Sequence, residues 1–76
     1  MKNIEALIDD GGDITLGRLG VIDCAATAST GHNLAAMLVR REGETLGALL
    51  KRLDRAIGHF YDTDEPVDEI NPSDDD

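Results

Sequence analysis

A chain of 76 residues with a net charge of −9, one cysteine and two aromatic side chains has room for a single domain with a modest core. The lone cysteine excludes an internal disulfide, no apolar run approaches a membrane span, and the acidity sets the chain against bare nucleic acid and anionic membrane and towards basic protein surfaces. Met-Lys-Asn-Ile-Glu has none of the apolar core of a secretory signal, so a cytoplasmic protein is expected.

Asn3 is placed to cap a short helix in which Ile4, Leu7 and Ile8 share a face, ended by Gly11-Gly12. Ile14-Thr15-Leu16 alternates as a short strand does, before a Gly17 to Gly20 break. Val21 to Ser29 reads as a second strand, with Ile22, Cys24, Ala26 and Ala28 pointing one way and Val21, Asp23, Ala25 and Thr27 the other. Alanine is a poor strand former. Its abundance here fits a sheet against which the long helix or a second copy of the chain packs closely. Thr30-Gly31-His32-Asn33 is the strongest turn signal, and Leu34 to Arg41 follows as the returning strand of a hairpin. A rival reading makes Leu34 to Glu42 a helix, with Asn33 as its cap and Gly43 as its terminator.

Thr45 to Tyr61 is the stretch on which the fold depends. Leu46, Leu49, Leu50, Leu53, Ile57 and Phe60 form one apolar stripe at helical spacing, with Ala56 in the seam and Thr45 or Glu44 as cap. Lys51, Arg52, Asp54, Arg55 and His59 occupy the solvent face. Beyond Tyr61 there are eight acids and no base, so residues 1–61 carry only −1. With Pro66, Pro72 and only Val67 and Ile70 as apolar anchors, residues 62–76 read as an acidic tail that does not fold by itself. The expected protein is α+β in the order α-β-β-β-α. A small antiparallel sheet packs on the long C-terminal helix, with one compact domain over 1–61 and a flexible tail over 62–76.

Catalytic and cofactor signatures are weak. Cys24 and His32 would make a thiolate–imidazole pair only if the hairpin joined them, and Cys24 lies among Ala and Ile, as a buried structural cysteine does. Asp9, Asp10 and Asp13 around Gly11-Gly12 lack the spacing and closing Glu of a calcium loop. Gly17-Arg18-Leu19-Gly20 is a GxxG, but strands are expected on both sides where the RNA-clamping loop joins helices. Arg40, Arg41, Lys51, Arg52 and Arg55 suit a solvated face better than a binding patch. No enzyme activity, metal or cofactor is expected.

The acids are the remaining candidates: Asp9, Asp10, Asp13 and Asp23, with Asp62, Asp64, Glu65, Asp68 and Glu69 of the tail. In an extended chain, alternate carboxylates such as Asp62 and Asp64 project the same way roughly 6.6 Å apart, a spacing comparable with successive phosphates of one nucleic-acid strand. A disordered, solubilising tail accounts for the same residues without a partner.

In size, acidity and lack of catalytic residues the chain resembles small inhibitors encoded by phages and mobile elements, among them anti-CRISPR proteins that act as DNA mimics. That resemblance implies a non-enzymatic inhibitor whose acids occupy the nucleic-acid-binding face of a basic partner, such as a CRISPR effector, with no direct contact to nucleic acid or membrane. Val39 to Ile57, VRREGETLGALLKRLDRAI, is also similar to the strand, Gly-x-Thr and amphipathic helix of small antitoxins with a partial RNase-H-like fold, over about a quarter of the chain. This implies instead an antitoxin that neutralises a basic ribonuclease. A third expectation, from the Ala-rich sheet, is a homodimeric assembly module.

Overall fold

The computed structural model describes residues 1–70. The chain is an α+β protein: α1 (Lys2–Asp9), β1 (Asp13–Leu19), β2 (Ile22–Ser29), β3 (Leu34–Val39), α2 (Leu46–Thr63) and β4 (Val67–Asp68). The four strands form one sheet in the order β1-β2-β3-β4, with β1, β2 and β3 antiparallel and β4 parallel to β3.

Leu34 to Val39 is a strand, and the helical reading of that segment is wrong. Thr30 fixes the turn before it, donating its N–H to the Asn33 carbonyl (2.8 Å) and accepting from the Asn33 N–H on Oγ1 (3.2 Å). Asn33 therefore completes a turn and does not cap a helix. The fourth strand is the larger departure from expectation. Residues 62–70, read from sequence as part of a tail, extend α2 to Thr63, turn at Asp64 in the left-handed conformation (φ 63°), and lay Val67 beside Ala36 and Asp68 beside Met37. Asp74, Asp75 and Asp76 lie outside the described residues.

Both helices cover one face of the sheet. Ala26, Ala28 and Ala36 present methyl groups to α2, so its backbone comes close, and Leu49, Leu53, Ile57 and Phe60 of the predicted stripe fill the interior with Leu7 and Leu38. Each fully buried Leu or Ile stabilises the fold by about 1.5–3 kcal/mol. Val67 packs against the same cluster, which is how a two-residue strand holds its place.

The helix starts differ in kind. Thr45 caps α2 by accepting the Ala48 N–H on Oγ1 at 3.1 Å. Asn3 does not cap α1: Met1 holds that position, and its side chain makes no capping bond. A carboxylate on α2 takes the role, Asp54 Oδ1 accepting the Ile4 N–H at 2.8 Å while the Asn3 amide donates to the Asp54 carbonyl (3.1 Å) and to Oδ2 (3.3 Å). Two glycines permit the close docking of α1. A Cβ on Gly58 would lie 2.7 Å from the Asn3 amide nitrogen, and one on Gly12 would lie 2.5 Å from the Ser29 carbonyl oxygen and 2.8 Å from Leu7 Cγ.

Candidate partner-binding surface

Strand register sorts the acids by position. Asp13 pairs with Ser29, Ser29 with Leu34, and β4 begins beside Ala36, so α1 and α2 both end at the edge of the sheet that carries the β2–β3 turn. That end therefore collects Asp9, Asp10 and Asp13 from the α1–β1 connection and Asp62, Asp64 and Glu65 from the α2–β4 connection. All six are exposed, and none makes an ion pair among the described residues.

Three acids stand elsewhere. Asp23 is at the far end of β2, next to the turn into which β1 delivers Arg18. Asp68 lies in β4, where its Oδ1 accepts the Ile70 N–H at 2.9 Å. Glu69 is taken up inside the fold: Oε2 accepts from Arg52 at 2.9 Å and Oε1 from the Val39 N–H at 2.9 Å. The extended-chain spacing anticipated for Asp62 and Asp64 is not present, because Asp62 is helical and Asp64 ends the helix. The carboxylates are grouped by a helix end and a turn, without a strand-like repeat.

The opposite end carries Arg18, Arg40, Arg41 and Lys51, and its chemistry centres on Arg52, whose side chain is only 13% exposed. Its Nε donates to Glu44 Oε2 (2.7 Å), one terminal nitrogen to Glu69, and the other to the Val39 carbonyl (2.9 Å) and Glu44 Oε1 (3.1 Å). The bidentate guanidinium and the Arg41 N–H (2.9 Å) hold the Glu44 carboxyl down to about 2, from an ordinary 4.5, against the opposing effect of burial. Glu44 in turn raises the Arg52 pKa. Arg40 donates through Nε to the Glu44 carbonyl at 2.7 Å, and Arg41 approaches Glu69 at 3.9 Å. The bases expected on a solvated face thus include one, Arg52, that binds the loop, β3, α2 and the segment after β4 together.

Cys24 and His32 are not brought together. Cys24 sits near the Arg40 end of β2, its carbonyl accepting the Arg40 N–H (3.0 Å), while His32 lies in the turn at the other end. Gly17, Arg18 and Leu19 continue β1 past the break expected at Gly17, and the turn to β2 is made by Gly20 and Val21, so the GxxG lies at the end of a hairpin strand. Among the described residues no group of three or more His, Cys, Asp or Glu side chains is placed to hold a metal ion, and no helix is long and apolar enough to cross a membrane. No local pattern announces the roles of Glu44, Asp54 and Glu69, since their partners Arg52, Ile4 and Val39 lie 8, 50 and 30 residues away. Comparison with known proteins found no matching family model, no matching characterised protein and no matching solved structure.

Proposed function

We propose that this chain is a non-enzymatic binding protein whose acidic end, Asp9, Asp10, Asp13, Asp62, Asp64 and Glu65, docks on the basic, nucleic-acid-binding face of a partner protein and so blocks it. The observation that carries the reading is the grouping of six exposed carboxylates, from two connections far apart in sequence, at one end of the sheet with no counter-ion among the described residues. Unpaired carboxylates on a fixed framework offer an arginine- or lysine-lined groove what a phosphate backbone offers, and their field speeds association in a salt-dependent way. Asp23, Asp68 and Glu69 stand apart from this group and are left out of the docking surface. The resemblance to small acidic inhibitors makes CRISPR effector proteins the first partners to try.

The test is a pull-down with purified candidate effectors, comparing the natural chain with one in which the six acids are changed to Asn or Gln. Substitution is preferred to truncation at Tyr61, which would also remove β4 and Glu69. The natural chain should capture its target at low salt, release it at high salt and compete with the target's nucleic acid, while the neutralised chain, folded by circular dichroism, does none of these. Equal capture by both chains would refute the acidic end as the docking surface.

A further inference from the structure

The two edges of the sheet are treated differently. On the β3 side, the outward backbone groups are occupied: the Met37 carbonyl accepts the Glu69 N–H (2.8 Å), the Val39 N–H donates to the Glu69 carboxylate, and the Val39 carbonyl accepts from Arg52. A short strand, one carboxylate and one guanidinium stand where a further strand would.

On the β1 side nothing does this. The Arg40 N–H bonds the Cys24 carbonyl, so Cys24 belongs to the β2 residues whose backbone groups turn towards β3. These groups alternate along a strand, so Ala26 and Ala28 also turn to β3, while Ala25, Thr27 and Ser29 turn to β1, where they meet Gly17, Thr15 and Asp13. The N–H and C=O of Ile14 and Leu16 are thereby left pointing outward from the open edge. No side chain or loop hydrogen-bonds to them among the described residues. Nor is this edge defended in the usual ways: Ile14 to Gly17 holds no charge and no proline. Leu16, on the helix-covered side of the sheet, remains 42% exposed, and Ile8 of α1, the helix above β1, 51%.

We infer that β1 is a self-pairing edge: two copies of this chain join antiparallel along β1 about a two-fold axis, making one continuous eight-stranded sheet. The charge pattern selects a second copy over a foreign strand. Asp13 and Arg18 stand at the two ends of β1 and project from opposite faces of the sheet, so the selection rests on the field of the two ends and not on a direct pair: antiparallel self-pairing brings unlike ends together, whereas parallel pairing sets like beside like. On a larger scale the same arrangement lays the acidic end of one copy alongside the basic end of the other. With the axis at Thr15, Ile14 exchanges both backbone bonds with Leu16 of the partner subunit, and these side chains, on the helix side in both copies, cover each other's exposed margins. The bulge between Gly17 and Leu19 ends the pairing after Gly17.

This inference does not depend on the proposed docking of the acidic end, and its test uses the isolated chain. Sedimentation velocity over a range of concentrations should show a reversible monomer–dimer equilibrium. Hydrogen exchange should show the Ile14 and Leu16 amides slowing as dimer forms. Leu16→Pro removes an N–H that the monomer's own ladder does not use, so the fold should survive, by circular dichroism, while the dissociation constant rises about tenfold or more from two lost hydrogen bonds per dimer. Leu16→Lys, which keeps the N–H and charges the edge, should also weaken the dimer. A chain that stays monomeric at every concentration would overturn the inference. So would a dimer in which the Ile14 and Leu16 amides exchange freely and neither substitution matters.

Discussion

Arg52 and Glu44 show how a residue pair can matter to the fold without belonging to its apolar core. The Glu44 carboxyl, lowered from an ordinary 4.5 to about 2 in the folded chain, binds its proton more weakly folded than unfolded. Its contribution to stability is therefore fully present above pH 4.5 and is lost as pH falls towards 2. Chemical denaturation at a series of pH values should show stability declining across that window, and Glu44→Gln should lower stability at neutral pH while flattening the decline. An unchanged slope in Glu44→Gln would assign the acid sensitivity to other carboxylates. Nothing in the spacing of these residues announces the pair. Sequence spacing offers Glu44 as a possible cap for α2 and Arg52 as one of several bases on a wetted helix face; both readings concern local sequence, whereas the contact depends on where the loop after β3 folds back.

At the scale of elements, the sequence was most legible where a single period dominates. The α2 stripe, the Thr45 cap, the alternation of β2 and the turn at Thr30 to Asn33 all follow from spacing and turn chemistry that need no knowledge of the rest of the chain. For β1 the alternation covers only Ile14 to Leu16, whereas the strand runs on to Leu19, because Gly17, which interrupts the pattern, is accommodated at a bulge. β4 has no sequence signal, since one apolar residue in a run of acids and a proline carries no period. Val67 becomes a strand residue only because β3 offers unmet backbone groups and α2 ends close by. The stripe can be tested against its own flank. Leu53→Ala, at a fully buried site, should cost about 2–5 kcal/mol in urea denaturation. Leu46→Ala, in the first turn and well exposed, should change stability by no more than about 0.5 kcal/mol. Similar losses at both sites would mean that the helix start is held more firmly than its exposure indicates.

For the molecule as a whole, charge is separated along the strand direction, and that separation was only half visible in the sequence. The count of acids after Tyr61 directs attention to the C-terminal part, but it groups Asp62, Asp64 and Glu65 with Asp68 and Glu69, which the fold sends elsewhere. It also gives no reason to set Asp9, Asp10 and Asp13 beside the first three; only the direction of α2 over the sheet does that.

The Glu69 carboxylate on Val39 bears on how far assembly can proceed. A sheet whose one long open edge is β1 joins a second copy there and then presents only the two-residue β4 at each end, too short to template a further strand, so growth stops at two. A sheet open on both sides has no such end point and adds copies indefinitely, as fibrils do. Glu69 holds the Val39 N–H and, through Arg52, braces the segment that follows β4. Glu69→Ala should therefore carry the concentrated protein past the dimer into large, light-scattering species, and adding Leu16→Pro should suppress them. If Glu69→Ala never exceeds the size of a pair, β4 alone terminates the sheet.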